Sequence, residues 1–339
     1  VVSATTDTGF ARATELFASA HTVVRYPFDP SWMVKRFLDR VQPDLVALTE
    51  LELWPNFVDA CTRRGIPIAV VNGRLSARSF KRYLRVRHLL AGTFGAVTRV
   101  LAQSQEYADR FAALGTPSQR VTVSGTMKWD TAQIADRVSG ADELAEELGV
   151  DRALPIVVAG STAPEEHALL HRAMPQGAQL ICAPRKPEWF NAAAAAFPGC
   201  VRRSTRQRGS QTGRFLLDTI GELRRAYALA DVVVIGRSFG NLYGSDMMEP
   251  AALAKAIVCG PRVGDFADTA RSLVGANALV QVTAAQLPEQ LARLVNDSQE
   301  RLRLGERARA VVRSQQGATE HTALALMEIL NSKSGTAHA

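Results

Sequence analysis

The residues best suited to chemistry stand where short apolar runs end. Thr49-Glu50-Leu51-Glu52-Leu53-Trp54-Pro55-Asn56 follows the run Leu45 to Leu48 and sets two carboxylates one residue apart beside Trp and Pro. Acids at a helix start complement its dipole; that accounts comfortably for one carboxylate and less well for two. Glu50 or Glu52 could instead accept a proton as a general base. Pro184-Arg185-Lys186-Pro187-Glu188 follows a second run and offers two cations to an anionic leaving group or a sugar carboxylate. Gly160-Ser161-Thr162-Ala163-Pro164 joins a third run to a helix. Small and hydroxylated residues there let a phosphate approach the backbone N–H groups, although Ser and Thr also cap many helices.

The densest segment runs from Ile235 to Pro250, with glycines at 236, 240 and 244 directly after a buried run, a density that packing alone does not require. Glu249 precedes Pro250, which is placed like the first residue of a helix, and its carboxylate could hold ribose or sugar hydroxyls. In Asp218-Thr219-Ile220-Gly221-Glu222-Leu223 the pair Thr219 and Glu222 has capping-box spacing, while Gly221 would let a ligand lie close over the helix start. His167 and His171 are four apart, the spacing of a metal pair, but no third ligand accompanies them, so neither a metal nor a cofactor is expected.

These loops need a frame, and the hydrophobic pattern supplies it. Short buried runs alternate with stretches of helical period, which predicts parallel α/β architecture. In the first half the strands fall at Leu45–Leu48, Ile66–Asn72, Arg99–Gln103 and Arg120–Gly125, with helices over Ser31–Arg40, Pro55–Arg64 and Ser76–Leu90. Residues 131–150 read as an inter-domain helix and linker. The pattern then restarts with strands at Pro155–Gly160, Gln179–Ala183, Asp231–Gly236 and Ala256–Cys259, and Leu287–Leu330 is helical. The arginines at 202, 203, 206 and 208 read as a solvated loop. Two doubly wound domains facing a cleft are expected, 1–130 and 151–330, with ligands at the carboxyl ends of the strands. Val1 to Thr6 reads as the interior of a strand without an initiator Met before it, so an N-terminal piece is expected to be missing.

The chain has 339 residues, 47% apolar and 22% charged, which suits two globular domains. Its four cysteines are scattered singly, which fits a reducing compartment and indicates neither a disulfide framework nor a zinc knuckle. No apolar run is long enough to span a bilayer. The net charge of +7 lies mostly in residues 1–130, with 17 Lys and Arg against 11 Asp and Glu. Arg74, Arg78, Lys81, Arg82, Arg85 and Arg87 follow one another without an acid. Surface helices usually mix signs, because like charges four apart repel; this face therefore suggests lipid phosphates or an anionic bilayer. Nucleic acid is not expected, because no recognition motif or interleaved aromatics accompany the charge.

In this order the segments resemble the bacterial transferases of 3-deoxy-D-manno-octulosonic acid (Kdo). The family's threonine-rich strand and turn is similar to Thr5-Thr6-Asp7-Thr8-Gly9, and its Glu-x-Glu-Leu-Trp-Pro-Asn motif stands at Glu50 to Asn56. Asn72 to Ser76, Gly125-Thr126-Met127-Lys128-Trp129-Asp130, the Ser161-Thr162 loop, Pro184 to Glu188 and Asp218 to Leu223 complete the likeness, which covers nearly the whole chain. The resemblance implies a GT-B-type inverting glycosyltransferase that needs no metal, takes CMP-Kdo as donor and a phosphorylated lipid A precursor as acceptor, and works peripherally at the cytoplasmic face of the bacterial inner membrane. It implies donor contacts from Ser161, Thr162, Arg185, Gly221, Glu222, Asp246 and Glu249. Acceptor or membrane contacts would come from Arg74, Arg78, Lys81, Arg82, Arg85 and Lys128.

Two departures stand out. The family's general base is a Glu in a Ser-Val-Gly-Glu segment upstream of the threonine-rich strand, and this sequence does not contain it. On that reading the chain as given lacks its base unless Glu50 or Glu52 substitutes. The second lies at Asp246, where the family usually has Asn; the change removes a donor and adds negative charge where an anionic donor should lie. The alternatives are a GT-B transferase using another nucleotide sugar and a catalytically incomplete fragment that binds anionic lipid.

Overall fold

The computed structural model describes residues 1–336, which divide into two compact units, Val1–Asp130 with the segment from Gln316 onward, and Thr131–Gln315. The first unit runs β1 (Val2–Ala4), α1 (Asp7–Phe17), β2 (Val23–Arg25), α2 (Ser31–Val41), β3 (Val46–Thr49), α3 (Pro55–Arg63), β4 (Ile68–Gly73), α4 (Ala77–Arg85), α5 (Arg87–Gly95), β5 (Arg99–Ala102), α6 (Gln105–Leu114) and β6 (Val121–Val123). β3 to β6 form a four-stranded parallel sheet in sequence order, and β1 pairs with β2 in a separate parallel ribbon. Val34 and Leu38 of α2, Phe57, Val58 and Cys61 of α3, and Ile68 of β4 form one core. Phe94, Phe111 and Leu114 pack with Val70 and Val100 in another.

The run expected as one helix over Ser76–Leu90 is two, broken at Val86. Ser76 caps the first by accepting from the Ser79 N–H, and none of its nine residues is buried. The break lets Leu90 and Phe94 turn into the core beside Phe111 while the basic residues of α4 remain in solvent.

The second unit runs α7 (Ala141–Leu148), β7 (Ile156–Thr162), α8 (Pro164–Ala173), β8 (Gln179–Pro184), α9 (Phe190–Ala196), β9 (Val201–Arg202), β10 (Arg214–Leu216), α10 (Leu223–Leu229), β11 (Val232–Ile235), α11 (Met248–Ala252), β12 (Ala256–Cys259), α12 (Ala267–Gly275), β13 (Val280–Gln281), α13 (Leu287–Asn296) and α14 (Ser298–Gln315). Its seven strands lie in the order β13-β12-β11-β7-β8-β10-β9, all parallel. β7, β8, β11 and β12 are buried along almost their whole length, as strands covered by helices on both faces must be.

The final helix, α15 (Ala318–Thr336), belongs to the first unit, whereas the sequence pattern grouped it with the second. Asp130 holds its start: the carboxylate accepts from the Gly317 N–H at 2.7 Å and from the N–H and hydroxyl of Thr319 at 2.6 and 2.5 Å. Arg99 also reaches Glu328 at 3.4 Å. Among the described residues no helix is long and apolar enough to cross a membrane.

Candidate active site

In the second unit the chain winds outward from β7 through β8, then returns to place β11 on the other side of β7 before continuing to β12 and β13. The carboxyl ends of β7 and β11 therefore flank a topological switch point, where open parallel sheets bind ligands. The two ends approach very closely. A Cβ on Gly236 would stand 2.5 Å from both the Ser161 carbonyl oxygen and the Thr162 Cα, so only glycine fits. Ser161 and Arg237 adopt left-handed backbone at φ 56° and 60°, which costs free energy in residues with a side chain and persists only where the surroundings enforce it.

Glu166 supplies that enforcement. Projecting from the first turn of α8, its Oε2 accepts from the N–H groups of Ala163 and Arg237 at 2.9 and 2.7 Å. Its Oε1 accepts from those of Ser238 and Phe239 at 2.8 and 3.0 Å. One buried carboxylate thus ties the loop after β7 to the glycine loop after β11. Burial pushes its pKa above the ordinary value, and the four N–H donors pull it back in part. The Arg237 guanidinium folds over the same loop onto the Gly244 carbonyl, and Ser238, fully buried, donates its hydroxyl to Ile235 and accepts from the Gly260 N–H.

The expected donor residues fall into three groups. Ser161 and Arg185 lie at adjoining strand ends, where the Arg185 N–H donates to the Thr162 carbonyl at 3.0 Å and the Ser245 hydroxyl to that of Ser161 at 3.4 Å. The Arg185 side chain is exposed and no carboxylate pairs with it among the described residues. Thr162, expected to face the donor, turns inward instead: it is fully buried, with its hydroxyl 3.0 Å from His167 Nε2 and 3.3 Å from Cys182 Sγ. The strand continues two residues beyond the expected end at Gly160, and the Thr162 side chain falls on its buried face.

Gly221 has φ 92° and open space around its Cα. Glu222 is held by Arg203 at 3.3 Å and Arg225 at 3.7 Å, and its carboxylate accepts from the Thr219 hydroxyl. The capping box predicted for this pair does not form; α10 starts at Leu223, with Glu222 at the cap position, and the Thr219 oxygen is spent on the Glu222 side chain. Asp246 accepts from the Met248 N–H at 2.8 Å and so caps α11. Glu249 lies inside that helix, not before it, with Pro250 as its third residue. It is half-buried and 3.7 Å from Arg224. Burial raises its pKa, Arg224 opposes the rise, and Asp246 adds to it.

In the first unit, Glu50 and Glu52 are both exposed at the carboxyl end of β3, but neither caps α3. Asp29 does so, accepting from the N–H groups of Asn56 and Phe57 at 3.1 and 2.9 Å. Glu52 accepts from the Trp54 indole at 2.8 Å. Glu50 stands at φ 59°, and its carboxylate has no hydrogen-bond partner among the described residues. Arg78, Lys81, Arg82 and Arg85 are exposed along α4 without an acidic partner among the described residues, and Arg74 and Lys128 are exposed on neighbouring loops.

Three contributions escaped the sequence pattern. Glu166 has no distinguishing signal in the sequence, since it stands beside Glu165 in the first turn of α8. Asp218, taken only as the start of a motif, accepts from Arg202 Nε at 2.7 Å and from the N–H and hydroxyl of Ser204 at 2.8 and 2.6 Å. Burial pushes that carboxyl up, but the bonds from Ser204 and Arg202 together hold it below the usual range. Arg202 and Arg203 are thus anchors for Asp218 and Glu222, a correction to the solvated loop expected there.

Residues 1–131 match the family of 3-deoxy-D-manno-octulosonic-acid transferases (kdotransferases). The chain is 30% identical over 328 residues to the 3-deoxy-D-manno-octulosonic acid transferase of Haemophilus influenzae, covering 93% of this chain and 76% of the relative. The enzyme of that name from Bordetella pertussis is 30% identical over 349 residues, covering 96% and 80%. Among solved structures, a glycosyltransferase from Rickettsia africae is similar at a TM-score of 0.59 with 13% identity, over 94% of this chain and 87% of that one. The HepE protein of Anabaena in complex with UDP is similar at 0.55 with 16% identity, over 97% and 89%. At these identities the structural likeness carries the fold, an α/β architecture of GT-B type with two Rossmann-like units.

Proposed function

Because the chain belongs to the 3-deoxy-D-manno-octulosonic acid transferase family, and is therefore a glycosyltransferase, we propose that it transfers Kdo from CMP-Kdo to a phosphorylated lipid A precursor with inversion. The observation that carries this reading is the switch point in the second unit, where an unpaired Arg185 stands beside Ser161 and a glycine loop stapled by Glu166. Such a site suits a nucleotide sugar with a phosphodiester. Arg185 would take the charge developing on the departing CMP phosphate, and the open backbone at Gly221 would admit the nucleotide. Glu249 and Asp246 would receive donor hydroxyls, the former with its pKa raised by burial.

An acceptor hydroxyl must lose its proton as it attacks the anomeric carbon. Of the two strand-end carboxylates Glu50 is the better candidate base, since that of Glu52 is already engaged with Trp54. The basic face of α4, with Arg74 and Lys128, would meet acceptor phosphates at the cytoplasmic face of the inner membrane.

Thermal stability measured with CMP and, separately, UDP tests the reading. Ligand at 100 times its dissociation constant adds about 2.7 kcal/mol. Stabilisation by CMP alone supports it, stabilisation by UDP alone moves the assignment to another nucleotide sugar, and none with either, in a chain shown to be folded, rejects a working donor site.

A further inference from the structure

A phenol at the switch point has no partner in the protein. Tyr227 lies on α10 one turn after Arg224, and so on the same side of that helix. α10 packs against β7, and the phenol reaches the carboxyl end of that strand. A Cβ on Gly160 would stand 2.0 Å from the Tyr227 hydroxyl oxygen and 2.6 Å from two of its ring carbons. The tip of the ring therefore rests on the glycine directly before Ser161. Tyr227 is only 1% exposed, yet its hydroxyl makes no hydrogen bond among the described residues and is not sealed from solvent. A buried tyrosine hydroxyl ordinarily finds a partner, because taking it out of water without one costs free energy.

The groups around it define the partner. Burial pushes the Tyr227 pKa up, and the negative charges of Glu249 and Asp246 push it further. The phenol thus keeps its proton and serves as a hydrogen-bond donor. Glu249, drawn toward Arg224 at 3.7 Å, supplies an acceptor in the same neighbourhood. A phosphate or a sugar carboxylate would be repelled by Glu249 and Asp246, and an apolar group would answer neither donor nor acceptor. An alcohol answers both, since one hydroxyl gives a proton and takes another. A nucleotide sugar carries such hydroxyls on its ribose and on the sugar to be transferred.

We infer that Tyr227 is a further donor-binding residue, its hydroxyl donating to a sugar hydroxyl of the bound nucleotide sugar that in turn donates to Glu249. The inference rests on the reading of the switch point as a nucleotide-sugar site and adds to it a neutral donor beside the carboxylates.

The test compares wild type with Tyr227→Phe, using dissociation constants for CMP, 2′-deoxy-CMP, 3′-deoxy-CMP and, without acceptor, CMP-Kdo. Tyr227→Phe should weaken CMP about fivefold, the scale of one hydrogen bond. The loss should vanish with the deoxynucleotide that lacks the contacted hydroxyl, which places the contact on the ribose. A loss seen with CMP-Kdo but not with CMP places it on the transferred sugar. The melting temperature without ligand should stay in place, because no bond within the protein is removed.

Unchanged affinity for both CMP and CMP-Kdo would overturn the inference. So would an equal loss for CMP and both deoxynucleotides, which would make the phenol only a prop beneath Gly160. If wild type binds CMP and the variant binds it and CMP-Kdo as tightly, Tyr227 fails and the donor reading stands. If wild type binds UDP in place of CMP, the donor reading fails, and UDP with its two deoxy analogues decides Tyr227. Folded wild type that binds neither nucleotide defeats both.

Discussion

Glu166 Oε1 accepts a 2.8 Å hydrogen bond from the Ser238 N–H, 72 residues further along the chain. Together with the bonds to Ala163, Arg237 and Phe239, it makes one buried carboxylate the shared floor of two loops at the switch point. Glu166→Ala would strand four N–H donors, each costing about 1–3 kcal/mol when left unsatisfied. Partial relaxation and water entry should limit the loss to about 3–5 kcal/mol. Glu166→Gln turns an NH2 group toward two of those donors and should also destabilise. Urea denaturation gives the loss; a stability equal to wild type would mean that the glycine loop holds itself.

The contact of Gly236 with Ser161 is backbone to backbone and has little room to yield. Gly236→Ala should therefore cost about 3 kcal/mol, the upper end for overpacking. It should also abolish the CMP-induced thermal shift by prising β11 from β7. Calorimetry with and without CMP checks both.

Arg185 is exposed, so its removal should leave folding alone and strike turnover. Arg185→Ala should lower kcat/KM for CMP-Kdo at least about 100-fold, the scale of a lost transition-state donor. Arg185→Lys should recover only part, because a point charge does not reproduce the planar fork. Steady-state kinetics beside a melting curve separates this outcome from unfolding.

His167 predicts an acid sensitivity. Burial holds its imidazole down to about 4, against an ordinary 6.5. Between those values the unfolded chain binds a proton that the folded one refuses, so stability is full above 6.5 and falls as the pH drops toward 4. At 1.36 kcal/mol per unit the loss approaches about 3 kcal/mol. His167→Gln should flatten this part of the profile, measured as urea midpoints across the window. A mutant that loses as much stability as wild type would assign the sensitivity elsewhere.

Much of the frame was legible because it is written locally. Buried parallel strands need unbroken apolar runs, and Ile156–Ala159, Val232–Ile235 and Ala256–Cys259 advertise themselves that way. Strand-end loops could be found because polar and glycine residues interrupt those runs, which brought out Ser161, Arg185, Gly221 and Glu249. The motifs could also be matched in register to a family. The short strands β2, β9, β10 and β13 were not legible, since two or three residues carry little period and, unlike those of β1 and β6, no longer apolar or β-branched run surrounds them.

The sequence by itself therefore determined the parallel α/β class, the strand-end location of the candidate site and the chain's kinship. Only the tertiary structure decided which polar groups meet. Asp29 caps a helix 27 residues away, Arg202 holds Asp218 across 16, and Glu166 binds backbone 71 to 73 residues on. Side-chain period is a property of neighbours along the chain, so it reports which face is buried. A hydrogen bond between distant loops depends on the order in which strands are laid side by side, and that order places Ser238 within reach of Glu166 while turning the Thr162 hydroxyl into the core.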